Sequence, residues 1–228
     1  MLLMSSPCPK PYDSAFIGRR NFIKRTAFVG AAVVAPGLAA NAERSSENLM
    51  PQTPNELSAD EVRNLLKLEP HATCGFVRVT FMSKERIAPG GLPAPFAAGR
   101  PAGSALYFMV TPGAPVRLHR IRNDQLYHYY LGDPLEVLML RGDGTTEHVV
   151  VGPDLRRRQL VQLLIPGNTF HTARVIGRRR WFLGASTEWP GVEPADVEIG
   201  DVDALAAKYP QVADDLRTFP VPVKEYEH

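Results

Sequence analysis

Residues 116–141 read VRLHRIRNDQLYHYYLGDPLEVLMLR. The stretch holds three runs rich in β-branched, aromatic and long apolar residues, and two turn-forming segments, at residues 122–124 and 132–134, separate the runs. Successive side chains on a strand point to opposite faces of the sheet. The stretch therefore predicts three consecutive strands joined by short turns, at Val116–Ile121, Gln125–Leu131 and Leu135–Arg141.

The same signature continues on both sides of this stretch. It predicts six further strands, at Gly75–Phe81, Ala105–Thr111, Glu147–Val151, Leu160–Ile165, Thr172–Val175 and Trp181–Thr187. Nine short strands with hairpin-length gaps are typical of an all-β barrel or sandwich. Ser58 and Glu61 form a capping-box pattern ahead of a helix over Ala59–Lys67, and helical spacing returns after Pro190. We expect one domain over residues 58–222, with short helices at both ends.

The N-terminal segment has the pattern of a twin-arginine signal peptide. Residues 18–24 read GRRNFIK, which pairs two arginines with Phe, an aliphatic residue and Lys. An apolar run follows over residues 27–35, and Ala40-Asn41-Ala42 offers small residues to signal peptidase. We predict a signal peptide over residues 1–42, cleavage after Ala42, and a polar linker over residues 43–57. Export in folded form by the twin-arginine machinery would place the mature protein in the periplasm.

A membrane anchor is the alternative interpretation of this segment. The uncharged stretch from Thr26 to Asn41 spans at most 16 residues and contains Pro36 and Gly37. A bilayer core requires about 20 consecutive apolar residues. No Cys follows the apolar run as an acceptor for a lipid. We therefore expect no stable membrane anchor.

Charge and cysteine content narrow the range of partners. Residues 1–42 hold five of the 26 basic residues and one of the 24 acidic residues, so residues 43–228 carry a net charge of −2. This balance gives no reason to expect nucleic acid as a partner. Cys8 lies in the predicted signal peptide, which leaves Cys74 without a disulfide partner in the mature chain. We interpret Cys74 as a small apolar core residue.

Two spaced motifs in the β region resemble those of the cupin superfamily. The positions of its first motif fall on His119, Ile121, Gln125 and Gly132, and those of its second on Pro166, Asn168 and His171. The resemblance implies a double-stranded β-helix, the jelly-roll barrel, in which inward side chains of the central strands meet. Cupins place metal ligands at that point.

The donor types at these positions leave the question of a metal open. Imidazole is a good ligand for divalent transition metals, but a working site normally has three or four protein donors. Here His119 and His171 supply two, Gln125 is a weak neutral donor, and Ile121 supplies none. One prediction is a divalent metal on His119, Gln125 and His171. The other is a metal-free pocket in which both histidines bind a ligand or each other.

The tyrosine-rich strand supplies further candidates for a site. Gln125, Tyr127 and Tyr129 share one face, and His128 lies on the other. His128 is a candidate general base because histidine titrates near neutral pH, and Tyr129 is a candidate acid. The structural alternatives are that the tyrosines pack in the core and that His128 has only a structural role.

The resemblance becomes specific to the cupin-5 group of the superfamily. The segments that carry it lie at residues 68–71, 75–78, 102–108, 119–124, 128–136 and 152–155, and the C-terminal pattern includes Pro190-Gly191 and Lys208-Tyr209-Pro210. The resemblance implies a homodimer similar in shape to nucleotide-sugar epimerases, and it implies no known reaction. This chain departs from the pattern of the group at two positions where the group has a carboxylate. The group has Pro-Glu-Gly-Gly where this chain has Ala72-Thr73-Cys74-Gly75, and it has Glu where this chain has Gln125.

Three functional hypotheses follow. The first is a periplasmic protein that binds a sugar or sugar derivative in the barrel, within a wall formed by Arg78, Tyr107, His119, Gln125, Tyr127, His128 and His171. Arg78 would then bind a carboxylate or phosphate, or alternatively form an ion pair at the surface. The second is an epimerase-like, isomerase-like or metal-dependent enzyme. The third is a structural module whose barrel is filled by its own aromatic side chains.

Overall fold

The computed structural model describes residues 57–219. The predicted signal peptide with its cleavage after Ala42, the predicted linker apart from Leu57, and the predicted domain end at residues 220–222 lie outside the described residues. Within residues 57–219, no helix is long and apolar enough to cross a bilayer.

The described chain is mostly β-structure with three short α-helices. The strands are β1 Glu69–Pro70, β2 Phe76–Met82, β3 Arg86–Ile87, β4 Arg100–Pro101, β5 Ser104–Val110, β6 Val116–Ile121, β7 Asp124–Gly132, β8 Leu135–Leu140, β9 Thr146–Val151, β10 Gln162–Ile165, β11 Phe170–Val175, β12 Phe182–Trp189 and β13 Val197–Ile199. The helices are α1 Ala59–Leu66, α2 Val202–Lys208 and α3 Ala213–Thr218. All nine predicted strands are present, which confirms the all-β prediction with short helices at both ends.

Two antiparallel sheets face each other. One has six strands in the order β1-β2-β5-β12-β7-β10, and the other has five in the order β13-β6-β11-β8-β9. Strands β3 and β4 form a separate pair. Consecutive strands change from one sheet to the other, as β5, β6, β7 and β8 do, which is the arrangement of a jelly roll.

The space between the sheets is filled by apolar side chains over much of its length. The buried residues that fill it come from both sheets: Val77, Phe108, Val110, Val116, Tyr127, Leu135, Val137, Met139, Val151, Leu163, Ile165, Ala173 and Phe182. This cluster is the main hydrophobic core, and it fixes which face of each strand points inward.

The helices cover the outer faces of the sheets. Val62 of α1 packs with Phe76, Met109 and Leu183 on the outside of the six-stranded sheet. Helices α2 and α3 pack through a second apolar group on Leu118, Leu138 and Leu140 of the five-stranded sheet. Ser58 caps α1 in the predicted capping box, with its side chain accepting from the Glu61 backbone N–H. Each sheet therefore packs one face in the main core and the other against helices. Along a strand, successive side chains alternate between these two environments.

A bulge in β6 has a direct consequence for the site. His171 of β11 lies opposite His119, but Ala173, two residues further on, lies opposite Val116, three residues away. Strand β6 thus has one residue more than β11 over this interval. The extra residue lets Val116 join the core while His119 also faces the interior beside His171.

Candidate functional site

A group of polar side chains interrupts the apolar core on the inner face of the six-stranded sheet. Gln125 and Tyr127 of β7 lie directly across from Glu188 and Ser186 of β12. Ser104 of β5 lies across from Glu188 on its other side. All five side chains are at least nine-tenths buried. The inner face therefore carries a contiguous polar patch that spans three strands.

Two histidines on the facing sheet meet this patch. The rings of His119 and His171 have centroids 4.3 Å apart, and both residues are almost fully buried. The Tyr127 hydroxyl lies 3.1 Å from Nε2 of His171, which connects the two sheets. We call the seven residues of the patch and the pair the interior site: Ser104, His119, Gln125, Tyr127, His171, Ser186 and Glu188.

Backbone carbonyls determine the tautomer of both imidazoles. Nδ1 of His119 lies 2.7 Å from the Arg117 carbonyl oxygen, and Nδ1 of His171 lies 3.2 Å from that of Thr169. A carbonyl only accepts, so each Nδ1 carries the proton and each Nε2 keeps its lone pair. Nε2 of His171 accepts the hydrogen bond from Tyr127. Nε2 of His119 has no hydrogen bond from any residue within 57–219.

Burial keeps these groups uncharged. The pKa of His119 is lowered to about 4, chiefly by desolvation and in smaller part by His71, although the hydrogen bond to the Arg117 carbonyl oxygen raises it. Desolvation also holds the pKa of His171 well below its ordinary value. The pKa of Tyr127 is raised well above its usual value for the same reason. Near neutral pH the pair therefore consists of two neutral imidazoles beside a neutral phenol.

Glu188 is the acidic member of the interior site. Its carboxylate oxygens accept hydrogen bonds from Ser104, at 2.6 Å, and from Ser186. Burial raises the pKa of Glu188, and the two serine hydroxyls lower it in part. The sequence prediction ended this strand at Thr187 and missed Glu188. The alternation of side chains along the strand could have identified Glu188, because it places Glu188 on the same inward face as Phe182 and Ser186.

The segment before β2 contributes two more side chains near the site. The His71 charge affects the pKa of His119. Burial raises the pKa of the Cys74 thiol to about 11, although Thr73 and Tyr127 lower it through hydrogen bonds. Cys74 also packs against the main core. It is thus a partly buried, protonated thiol near neutral pH, which fits its interpretation as a small core residue.

Comparison with known proteins places this architecture in a family. The family model described as Cupin superfamily (DUF985), Cupin_5, matches residues 60–200. The chain belongs to this cupin family. No curated protein matches the sequence.

Solved structures with a similar fold include two of similar extent. A hypothetical protein from Leishmania major has 25% identity and a TM-score of 0.65, and the match covers 72% of this chain and 98% of that one. A protein from Shewanella oneidensis has 24% identity and a TM-score of 0.63, with 74% and 100% coverage. Both show the cupin fold over nearly their whole length, and their names assign no activity.

Because cupins place metal ligands inside the barrel, we asked whether the donor atoms of the interior site could hold a metal ion. Within residues 57–219, no group of three or more His, Cys, Asp or Glu side chains could hold a metal ion. Nε2 of His171 already accepts from Tyr127, and Gln125 offers only a neutral amide oxygen. Two imidazoles and one amide fall short of the donors that a resident transition metal needs. The described residues therefore do not fit a metal on His119, Gln125 and His171.

Three predicted wall residues lie outside the barrel, which corrects their assignment to the ligand pocket. Arg78 lies across from Tyr107 on the outer face of the six-stranded sheet, where it donates to the Leu66 carbonyl oxygen. Tyr107 packs beside the α1 contact region. His128 bonds to Thr187, at 3.0 Å, and to Gln162. Each of the three is the immediate sequence neighbour of an inward-facing residue (Val77, Phe108 and Tyr127). Because successive side chains on a strand alternate, all three point to the outer face of the sheet.

Tyr129 points inward but does not join the interior site. Its ring packs against the main core, and its hydroxyl donates to the Gly132 carbonyl oxygen at 2.9 Å. With His128 on the outer face, the predicted acid–base pair of His128 and Tyr129 has no common site. This corrects the predicted catalytic pair.

A buried ion pair lies outside the interior site. The Arg100 guanidinium forms a fork on Asp196, with Nε 3.1 Å from Oδ2 and Nη2 2.8 Å from Oδ1. Both residues are buried. Arg100 lies on β4, and Asp196 immediately precedes β13. The pair thus ties the β3–β4 hairpin to the loop before β13.

Proposed function

We propose that this cupin is an exported periplasmic protein that binds a small polar ligand of the sugar class in the interior site. The observation that carries the proposal is the polar patch itself, seven buried polar side chains inside an otherwise apolar barrel. Burying a polar group costs free energy that apolar packing would avoid. Concave sites with an apolar wall and a few convergent polar groups are typical of small-molecule binding.

The hydrogen-bonding capacity of the interior site supports this ligand class. Serine and tyrosine hydroxyls both donate and accept, the Gln125 amide does both, and a neutral imidazole accepts at Nε2. A polyhydroxylated ligand offers the same mixture of donors and acceptors. The aromatic rings of Tyr127 and Phe108, with centroids 4.7 Å apart, add apolar surface beside the polar groups.

The test of binding uses the protein purified from the periplasm after expression of the full-length chain. A thermal-shift and calorimetric screen would cover neutral sugars, sugar acids and nucleotide sugars. We expect at least one class to bind, and a His171→Gln variant to bind it at least about tenfold more weakly. A matched Arg78→Ala variant, altered outside the barrel, should bind like the parent. Absence of binding in every class would reject the proposal.

The test of export is separate. The signal peptide predicts that the full-length chain accumulates in the periplasm with residues 1–42 removed, and that an Arg19→Lys, Arg20→Lys variant stays in the cytoplasm. Cell fractionation with N-terminal sequencing measures both. Equal distribution of parent and variant would reject twin-arginine export while leaving ligand binding intact. The predicted homodimer would be tested on the same material by light scattering.

Acid–base catalysis is a second candidate, and the histidine geometry favours it. Nε2 of His119 presents a lone pair with no hydrogen bond from residues 57–219, and a lone pair of this kind can accept a proton from a bound ligand. Tyr127 and His171 are already hydrogen-bonded and could relay a proton. Isotope exchange at a carbon-bound hydrogen of any sugar found to bind, followed by NMR, would detect such a reaction. His119→Gln should abolish the exchange without abolishing binding.

A further inference from the structure

We propose that Glu188 makes the interior site selective for uncharged hydroxyl-bearing ligands and excludes anionic ones. The inference rests on the proposed function and specifies the ligand class of the same site. It narrows the ligand class from sugars and their derivatives in general to those without a negative charge.

The first support is the lack of a compensating cation at Glu188. The residue is 3% exposed, and both carboxylate oxygens accept from neutral serine hydroxyls. Within residues 57–219, Arg100 is the one fully buried arginine or lysine, and its guanidinium is engaged by Asp196. Arg100 is thus paired with Asp196 and Glu193, and the salt bridges within residues 57–219 include none that joins a cation to Glu188.

The second support is the position of the predicted anion-binding residue. Arg78 was expected to bind a carboxylate or phosphate of the ligand. It lies on the outer face of the six-stranded sheet and donates to the Leu66 carbonyl oxygen. His119 and His171 donate through Nδ1 to backbone carbonyls, and Nε2 of His171 accepts from Tyr127, so both imidazoles are neutral and offer a ligand no positive charge.

The third support is that Glu188 acts electrically on the centre of the site. Burial is the main reason that the pKa values of Tyr127 and Cys74 are raised, and the negative charge of Glu188 adds to the rise at both. Glu188 lies across from Gln125 and two residues along the strand from Ser186, which faces Tyr127. A ligand that contacts Tyr127 is therefore within the field of this carboxylate.

These features act together against an anion. A carboxylate or phosphate that enters the barrel loses its hydration and finds no buried cation in return. It also meets a like charge at Glu188, and low polarity of the surroundings strengthens the repulsion. A neutral polyol meets neither penalty, because its hydroxyl groups donate to Glu188, Gln125 and Nε2 of His119.

The experiment compares matched neutral and anionic sugars on the periplasmic protein at mildly alkaline pH. The probes are glucose with glucuronate and glucose 6-phosphate, and galactose with galacturonate and galactose 1-phosphate, each followed by calorimetry. We expect a neutral sugar to bind, and its anionic partners to bind at least roughly tenfold more weakly. Glu188→Gln should reduce that difference by at least about threefold, because it removes the charge and keeps the shape.

A matched variant separates a local effect from a change in net charge. Glu198→Gln makes the same chemical change at a glutamate whose side chain is 55% exposed and paired with Arg120, outside the barrel. We expect it to leave the difference unchanged. Circular dichroism of each variant would establish that the fold is kept, and the comparison on the parent protein needs no variant at all.

The outcomes distinguish the two proposals. Equal or tighter binding of an anionic sugar by the parent would overturn the selectivity and leave the binding function intact. A difference that Glu188→Gln does not change would overturn the role of Glu188. Binding of no probe, neutral or anionic, would reject ligand binding of this class and the inference with it.

Discussion

Two buried polar regions of this cupin handle charge in opposite ways. Around Arg100 and Asp196, a full positive and a full negative charge neutralise each other through a two-bond fork, and the pKa of Asp196 is lowered despite its burial. In the interior site, burial raises the pKa of Glu188 and lowers those of both histidines. The first region is charged and compensated, whereas in the second burial disfavours the charged form of each titratable group and no opposite charge compensates Glu188.

The difference separates a structural feature from a binding feature. Compensated charges with all hydrogen bonds made hold two loops together. Polar groups that stay uncompensated lower stability and keep hydrogen-bonding capacity for another molecule. Proteins retain such groups mainly where they have a function. The contrast leads to four predictions.

The largest effect should come from breaking the compensated pair. Asp196→Ala leaves the Arg100 guanidinium buried without its fork, and we expect a loss of about 3 kcal/mol in the free energy of unfolding. Urea denaturation measures it. Glu198→Ala, which breaks the exposed pair with Arg120, should cost less than about 1 kcal/mol. Equal losses in the two variants would show that the buried pair has no special structural role.

Acid should weaken the protein through the interior site. The pKa of His119 is about 4 in the folded chain against an ordinary 6.5, so between these values the unfolded chain binds a proton that the folded chain does not. The free energy of unfolding should therefore fall as pH falls through this window, by up to about 3 kcal/mol. His171 acts in the same direction. Denaturation across the window should show a shallower slope for His119→Gln, and an unchanged slope would contradict the assignment.

Removal of one hydroxyl should have an intermediate effect. Tyr127→Phe keeps the ring packed on Phe108 but deletes the donor to Nε2 of His171. A buried acceptor left without its partner costs about 1–2 kcal/mol. Denaturation at neutral pH measures the loss. The matched control is Tyr129→Phe, which also removes a tyrosine hydroxyl from β7 but outside the interior site. There the lost hydrogen bond is one to the Gly132 backbone carbonyl.

The smallest effect should appear at Glu188. Because its pKa is raised, its contribution to stability is present below the ordinary value of 4.5 and is lost as pH rises through the folded value. The Glu188→Gln variant has no carboxyl to titrate here. As pH rises through this range, its free energy of unfolding should therefore fall less than that of the parent protein, by up to about 1 kcal/mol. Denaturation curves for both proteins at matched pH test this. A larger loss in the variant would mean that the carboxylate is stabilised when charged, like Asp196.

Local pattern was enough to predict most of the fold. Alternation, turn residues and β-branched content identified all nine long strands, and Ser58 with Glu61 identified the first helix. Strand ends were less certain, because they depend on pairing partners. Strand β11 begins at Phe170 and so includes His171, and β12 extends to Trp189 and so includes Glu188.

The site was predicted in part. His119, Gln125, Tyr127 and His171 do meet inside the barrel, whereas Arg78, Tyr107 and His128 lie outside it. A period of two shows which residues share a face but not which face points inward. Here the choice is hard to make from sequence because both faces of the six-stranded sheet carry apolar residues, one for the core and one for α1.

The sequence by itself determined an all-β cupin domain with helices at its ends, because strand alternation, turns and caps are local properties. Only the tertiary structure decided which residues form the interior site. The bulge in β6 turns His119 toward His171, the register of β12 on β7 and β5 sets Glu188 beside Gln125 and Ser104, and a remote contact pairs Arg100 with Asp196. These are contacts between residues up to 96 positions apart, and no local pattern encodes them.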